Sequence, residues 1–347
     1  MFSFSVNLLF FLSLWFFLVG CVKDKPVIIK EKNQIYTGEI GKVFVLNEGN
    51  FGSGNGSVSL YDPISGGVTE DYFQQQNQQN AGDVVQSMTK LNGLYYLVVN
   101  NSGKIYCLNK GFKIQQTLNG LTSPRYIMSL ANDKALVSDL YANALTVFNP
   151  NTMQIIQQIP LSGWTERMEK YQNKVFITNP RRNYLYVLNM NSLSITDSIF
   201  LHKGGNSLQI DRYNKLWVLC SGDIMSAQPG ALFKINPDNH QVEWSSLFTS
   251  GHPTNLNINP TRDTLYFLHT GGIYRMPVNS QGLPQAAWIS SGTKNFYGMR
   301  VNPNSGNIYV SDAKDYLQKS DIYIYNPDGK ELGKFKAGII SGDFYFE

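Results

Sequence analysis

The chain is poor in the residues from which proteins build reactive centres. Only three cysteines and four histidines occur among 347 residues. No CxxC or HExxH is present, no two histidines stand at metal-ligand spacing, and there is no GxSxG. These gaps leave little material for a protein-built metal centre or a nucleophile elbow. Charge is also scarce, with 16% of residues ionic and a net charge of +4. That excess is dispersed and no Lys/Arg-rich run gathers it, which argues against a nucleic-acid partner.

Phe2 to Gly20 is apolar and uncharged, and it closes on Leu18-Val19-Gly20-Cys21. An apolar stretch ending in small residues and a cysteine has the form of a bacterial lipoprotein signal, cleaved before Cys21, which then carries the lipid. A single transmembrane anchor is the other reading, since about 17–25 apolar residues span a bilayer. The Leu-Val-Gly-Cys box favours the lipid, although no Lys or Arg precedes the apolar stretch. Val22-Lys23-Asp24-Lys25 is similar to the short charged tag that sends Bacteroidetes lipoproteins to the cell exterior. The expected organisation is a signal peptide at 1–20, a lipid anchor and tether at 21–40, and one folded domain at 41–347. The expected location is the outer membrane, facing outward. With Cys21 lipidated, Cys107 and Cys220 fall in strand patterns of different repeats and read as buried thiols rather than a disulfide.

What the chain has in plenty is β-forming sequence, with 42% hydrophobic and 13% aromatic residues. Thr122 to Leu161 reads as four short strands, Arg125–Leu130, Lys134–Ser138, Ala144–Phe148 and Gln154–Ile159, punctuated by Asn, Asp and Pro. Such a meander cannot bury both faces of its sheet alone, so copies should follow. Equivalents of the second strand recur at Lys42–Leu46, Tyr95–Val99, Lys174–Thr178, Lys215–Cys220, Thr264–His269 and Asn307–Ser311. Their ends step from Asn100 to Asp139 to Asn179 to Ser221, intervals of 39, 40 and 42 residues. After the third strands, Asp62-Pro63, Asn149-Pro150, Asn236-Pro237 and Asn326-Pro327 recur as turns. Four strands per unit at this period predict an all-β, seven-bladed β-propeller. Six first strands are evident, at Val84–Lys90, Arg125–Leu130, Glu166–Tyr171, Asn206–Asp211, Asn255–Asn259 and Tyr297–Asn302. The seventh is assigned to the C-terminus, 342–347, docking beside Lys42–Leu46 and closing the ring.

In such a meander the starts of first strands and the ends of second strands share one face. Polar residues end the second strands there: Asn47, Asn100, Asp139, Asn179, Ser221, Thr270 and Asp312. Turn chemistry explains a polar column as readily as ligand binding does. The neighbours are less easily explained by turns, which have no use for Trp, Tyr or paired Arg. Candidate ligand-binding residues on this face are Asn50, Phe51, Asn100, Arg125, Tyr126, Asp139, Tyr141, Trp164, Arg167, Asn179, Arg181, Asn255, His269 and Tyr297. Flat aromatics mixed with amide and guanidinium donors suit a large, polar, partly planar ligand or a carbohydrate. The tract QQQNQQN at 74–80 reads as a polar connection between the first two blades, either a disordered linker or a flap over ligand. A hydrolase or lyase with an axial metal is the alternative, with Glu166, Asn206, Asn255 and Asp343 as oxygen ligands. Such polar residues also serve to hold channel water.

The pattern KVFVLNEGNFGSGNGSVSLYDPISGGVTEDYF at 42–73, with SPRYI at 123–127 and NIYVSD at 307–312, resembles the YncE-like propellers of Bacteroidetes surface lipoproteins. The WD dipeptide of the WD40 family is absent. The likeness spans residues 42–347 and extends to the cobalamin-capture branch, BtuG. That resemblance implies a seven-bladed propeller that is not an enzyme and has no cofactor of its own. It would hold cobalamin or a related corrinoid as ligand and pass it to a TonB-dependent outer-membrane transporter. A glycan- or protein-docking propeller remains a further alternative.

Overall fold

The computed structural model describes residues 38, 39 and 41–347, which leaves the signal peptide, Cys21 and most of the tether outside the described residues. The described chain forms seven four-stranded antiparallel sheets, arranged as a β-propeller. Six blades use consecutive strands. Blade 3, for example, comprises Pro124–Ala131, Lys134–Asp139, Ala144–Asn149 and Gln154–Pro160, within a residue of the spans expected from sequence.

Blade 1 is built from both ends of the domain. Its inner strand is the C-terminal Ser341–Phe346, followed outward by Val43–Asn47, Ser57–Asp62 and Gly67–Thr69. Phe346 pairs with Val43, Phe344 with Val45 and Ser341 with Asn47. Main-chain pairing thus closes the ring without leaving an open inner edge.

Each blade is apolar on both faces because neighbouring blades cover it. In the second strand of blade 2, Tyr95, Leu97 and Val99 pack toward blade 1, while Tyr96 and Val98 pack toward blade 3. The period of two along a strand therefore feeds two cores at once, and the strand reads as a continuous apolar run. Seven hydrophobic clusters result, one at each junction between blades. Cys107 lies in the junction of blades 2 and 3 and Cys220 in that of blades 4 and 5; both are free and buried.

Two expectations need correction. The Gln/Asn tract joins blades 1 and 2 as expected, but it is not a disordered linker, because its first four residues lie in the helix Tyr72–Asn77. Phe73 is buried against Tyr106, with ring centroids 5.0 Å apart. Asn77 donates to the carbonyls of Phe73 and Phe112 and accepts from the Ile114 N–H at 2.9 Å. The helix is thus pinned to the turn before the outer strand of blade 2. Secondly, the inner strand of blade 4 begins at Met168, two residues later than expected. Glu166 and Arg167 still bond to the main chain of Thr178, but in an irregular pattern that turns their side chains toward the axis.

The two faces are distinct. The upper face holds the starts of first strands and the ends of second strands; the lower holds the turns between them. Val43 begins a second strand, so the chain arrives from the lower face. There the Glu39 carboxylate accepts hydrogen bonds from Ser305, Asn307 and Tyr309 of blade 7. Among the described residues, no helix is long and apolar enough to cross a membrane.

Candidate functional site

The candidate residues separate into three groups, and the first is structural in its contacts. Asn100 is buried and donates to Ser123 Oγ and the Pro124 carbonyl, both at 2.9 Å, tying blade 2 to blade 3. Asp139, also buried, accepts from the N–H groups of Ser123, Tyr141 and Ala142. Asn179 donates to the Ser162 carbonyl and accepts from the Arg181 N–H. Their polar atoms satisfy main-chain groups where the strands end. Asn255 likewise donates to the Tyr297 carbonyl at 3.0 Å.

The second group fills the upper part of the central channel. Arg125 grips Glu166 with Nε 3.0 Å from Oε2 and Nη2 3.0 Å from Oε1, and it also donates to Gln86. Arg300 makes a bidentate pair with Asp343 at 2.9 and 2.7 Å, and Arg167 reaches the same carboxylate at 3.1 Å. The Tyr126 ring lies under Arg167, 3.9 Å from its guanidinium carbon. Tyr297 donates to Glu48 at 3.0 Å. Three arginines thus pair with two carboxylates, while the third carboxylate of the plug, Glu48, is held by Tyr297.

Charge and burial compete within this plug. Burial alone would raise the Asp343 pKa, but Arg300 and Arg167 together hold it below the ordinary carboxylate value. For Glu48, burial outweighs the nearby Arg125 and the bond from Tyr297, and its pKa is raised. The carboxylates offered to an axial metal, Glu166 and Asp343, are therefore already neutralised by guanidinium groups. Among the described residues no group of three or more His, Cys, Asp or Glu is placed to hold a metal ion.

The third group faces solvent on the upper rim. Tyr141, Trp164 and Arg181 converge from blades 3 and 4 on a hollow of 430 Å³. Tyr141 meets Trp164 edge-on at 5.7 Å, and the Arg181 guanidinium stacks 4.1 Å above the indole. The local chain dictates this arrangement. Asp139 and Asn179 cap successive turns and so project Tyr141 and Arg181. Gly163, at φ 96°, lies where a Cβ would come within 2.9 Å of the Asn179 amide, so a larger residue would displace the neighbouring Trp164.

Phe51, expected on this rim, is 78% exposed. Sequence reasoning missed its companions: Met225 is 95% exposed, and Ile224, Tyr316 and Leu317 are exposed too. All five, with Tyr141, sit in loops that follow second strands. The signal that could have found these four is the apolar content of their loops, at GDIMSAQ and AKDYLQK. Asn50 braces the rim by donating to the Tyr316 carbonyl at 2.8 Å. His269 is half-buried between Phe248 and Tyr274, with its Nδ1 enclosed and unpartnered. Burial, aided by His252, lowers its pKa and keeps the ring neutral.

A family profile described as Domain of unknown function (DUF5074) matches residues 41–346. No curated protein matches the chain. Among solved structures, a quinonprotein alcohol dehydrogenase-like protein from Bacteroides thetaiotaomicron is similar, with a TM-score of 0.69 and 16% identity over 88% of this chain and 78% of that one. Hydrazine synthase from Kuenenia stuttgartiensis aligns with a TM-score of 0.55 and 12% identity over 70% of this chain and 76% of that one. The computationally designed Ika8 protein gives 0.58 and 10% over 89% and 92%. At these identities the likeness is one of fold.

Proposed function

The chain belongs to the family described as Domain of unknown function (DUF5074), and we propose that it is a capture protein whose upper face docks a large, partly planar ligand. The observation that carries this reading is the hollow formed by Tyr141, Trp164 and Arg181, on the same face as the exposed loop residues Phe51, Met225 and Leu317. Turns have no need of a Trp, a Tyr and an Arg stacked together at a solvent-facing hollow. The preferred ligand is cobalamin or a related corrinoid. Its flat ring would lie on the Trp164 indole and its amide side chains would meet Arg181 and Arg182. The protein is no enzyme in this reading. It is anchored in the outer membrane through lipid on Cys21, faces the cell exterior, and delivers its ligand to a TonB-dependent transporter.

Neutralisation of Glu166 and Asp343 within the plug favours docking over axial-metal chemistry. The test is calorimetric titration of the soluble protein, from Lys23 onward, with cyanocobalamin. One molecule should bind per chain, and the Tyr141→Ala/Trp164→Ala variant should bind at least about tenfold more weakly, the effect of losing ~1.4 kcal/mol of contact. Absence of saturable heat removes cobalamin. Unchanged affinity in the double variant removes the assigned site.

A further inference from the structure

A cavity larger than the rim hollow opens at the lower mouth of the channel. It has a volume of 650 Å³ and is framed by the inner-strand turns of blades 4 to 7 and by the closing strand. That size is ordinary for a small-molecule site. Gln209, Asn257 and Arg300 line both this chamber and the space below the plug, so it is the lower end of the same shaft.

The basic groups of the shaft are not spent alike. Arg125, Arg167 and Arg300 all pair with carboxylates. Arg262 does not. Its Nε and Nη2 donate to the main-chain carbonyls of Ile210 and Asp211, at 2.9 and 2.8 Å, and Nη1 has no partner among the described residues. The acids beside it in sequence are taken: Asp263 holds Arg212 and Asn259, and the Asp211 carboxylate accepts from the Trp217 indole and from the N–H groups of Tyr213 and Lys215. Lys170, exposed on the inner strand of blade 4, makes no hydrogen bond or ion pair with the described residues. Turn formation does not ask for the arginine either. Arg262 is the left-handed residue, at φ 55°, of the first turn in blade 6, where blades 2, 4, 5 and 7 place Asn92, Gln172, Asn214 and Gly306, none of them charged.

We propose that this lower chamber is a second binding site, separate from the rim hollow, for a small organic anion whose oxyanion head, carboxylate or phosphate, is held by Arg262 and Lys170. The two main-chain bonds of Arg262 fix its guanidinium at the mouth, so Nη1 is oriented before a ligand arrives and little freedom is lost on binding. The head takes a charge-assisted bond from that nitrogen and another from the Lys170 ammonium. Pro260, Pro303 and Phe346 on the same lining offer apolar wall to a flat body behind the head. Glu169 is the single carboxylate of the lining. Burial raises it to about 7 against the lowering effect of Arg262, so near neutrality it offsets only part of the two positive charges.

The experiment is calorimetric titration of the soluble protein with benzoate and with phenyl phosphate, which carry the two heads on one body. Each is taken to about 10 mM, a ceiling that detects millimolar affinity, in a low-salt buffer free of other oxyanions. One molecule of at least one probe should bind per chain. Its affinity should fall at least about tenfold in Arg262→Gln and in Lys170→Gln, and should be unchanged in Tyr141→Ala/Trp164→Ala, which separates this site from the rim. Lys170→Gln alters an exposed side chain without a partner and so leaves the fold intact, whatever Arg262→Gln does to its turn. Benzamide, the neutral isostere of benzoate, should not bind the wild-type protein. Saturable binding of neither probe, equal binding of benzamide, or full affinity in Lys170→Gln overturns the proposal.

Discussion

Asp343 joins three parts of the ring through one carboxylate: the closing strand, Arg300 of blade 7 and Arg167 of blade 4. Replacing it by Asn leaves two half-buried guanidinium groups undercompensated. The expected loss is ~2–3 kcal/mol in urea unfolding, less than the cost of breaking a fully buried pair from one side because solvent reaches both arginines. The pH dependence follows the depressed pKa: its stabilisation is complete above about pH 4, the unfolded value, and is lost as the pH falls through the folded one. Asp343→Asn should therefore show a flatter acid limb than wild type. Glu169 behaves oppositely. Its folded pKa is raised to about 7, so the folded state is favoured at low pH and loses that advantage as the pH rises toward neutrality. Glu169→Gln should be more stable than wild type by about 1–3 kcal/mol near pH 8, and no more stable near pH 4. Individual roles were only partly legible in the sequence. Asn100, Asp139 and Asn179 were placed on the correct face, but turn-capping and ligand-binding residues have the same local pattern. Arg300 was not singled out, because nothing in FYGMRV says which side chain of an inner strand meets the axis.

At the scale of elements, strand positions were readable because the blades alternate apolar residues between short Asn, Asp and Pro turns. The C-terminal strand was found by counting, since seven second strands require seven first strands. Deleting residues 341–347 should expose the inner edge of Val43–Asn47 and abolish the single cooperative transition; unfolding followed by calorimetry checks this, with added association through the freed edge. The helix Tyr72–Asn77 escaped notice because Gln-rich composition suggests a linker, whereas its order comes from one buried ring and one amide. Asn77→Ala should cost ~1–3 kcal/mol, since it orphans the Ile114 N–H and the Phe112 carbonyl. Limited proteolysis should then cut within 74–80, where the wild-type chain resists.

The whole molecule is a ring with unlike faces. Repetition fixes the blades and their junctions, and that level of organisation is written in the 39- to 42-residue period. Working surfaces arise where the repeats differ, in loop residues such as Phe51, Met225 and Leu317 and in the turn residue Arg262. Periodicity carries no information about those differences. In the proposed function the large ligand docks on the upper rim. Hydrogen exchange of the soluble protein with and without cyanocobalamin tests this placement most directly. Protection confined to loops 139–143, 162–164 and 180–182, with weaker protection at 49–53, is the predicted result. Protection at 169–172 and 258–262 on the lower face instead, or no protection at saturating cobalamin, would contradict it.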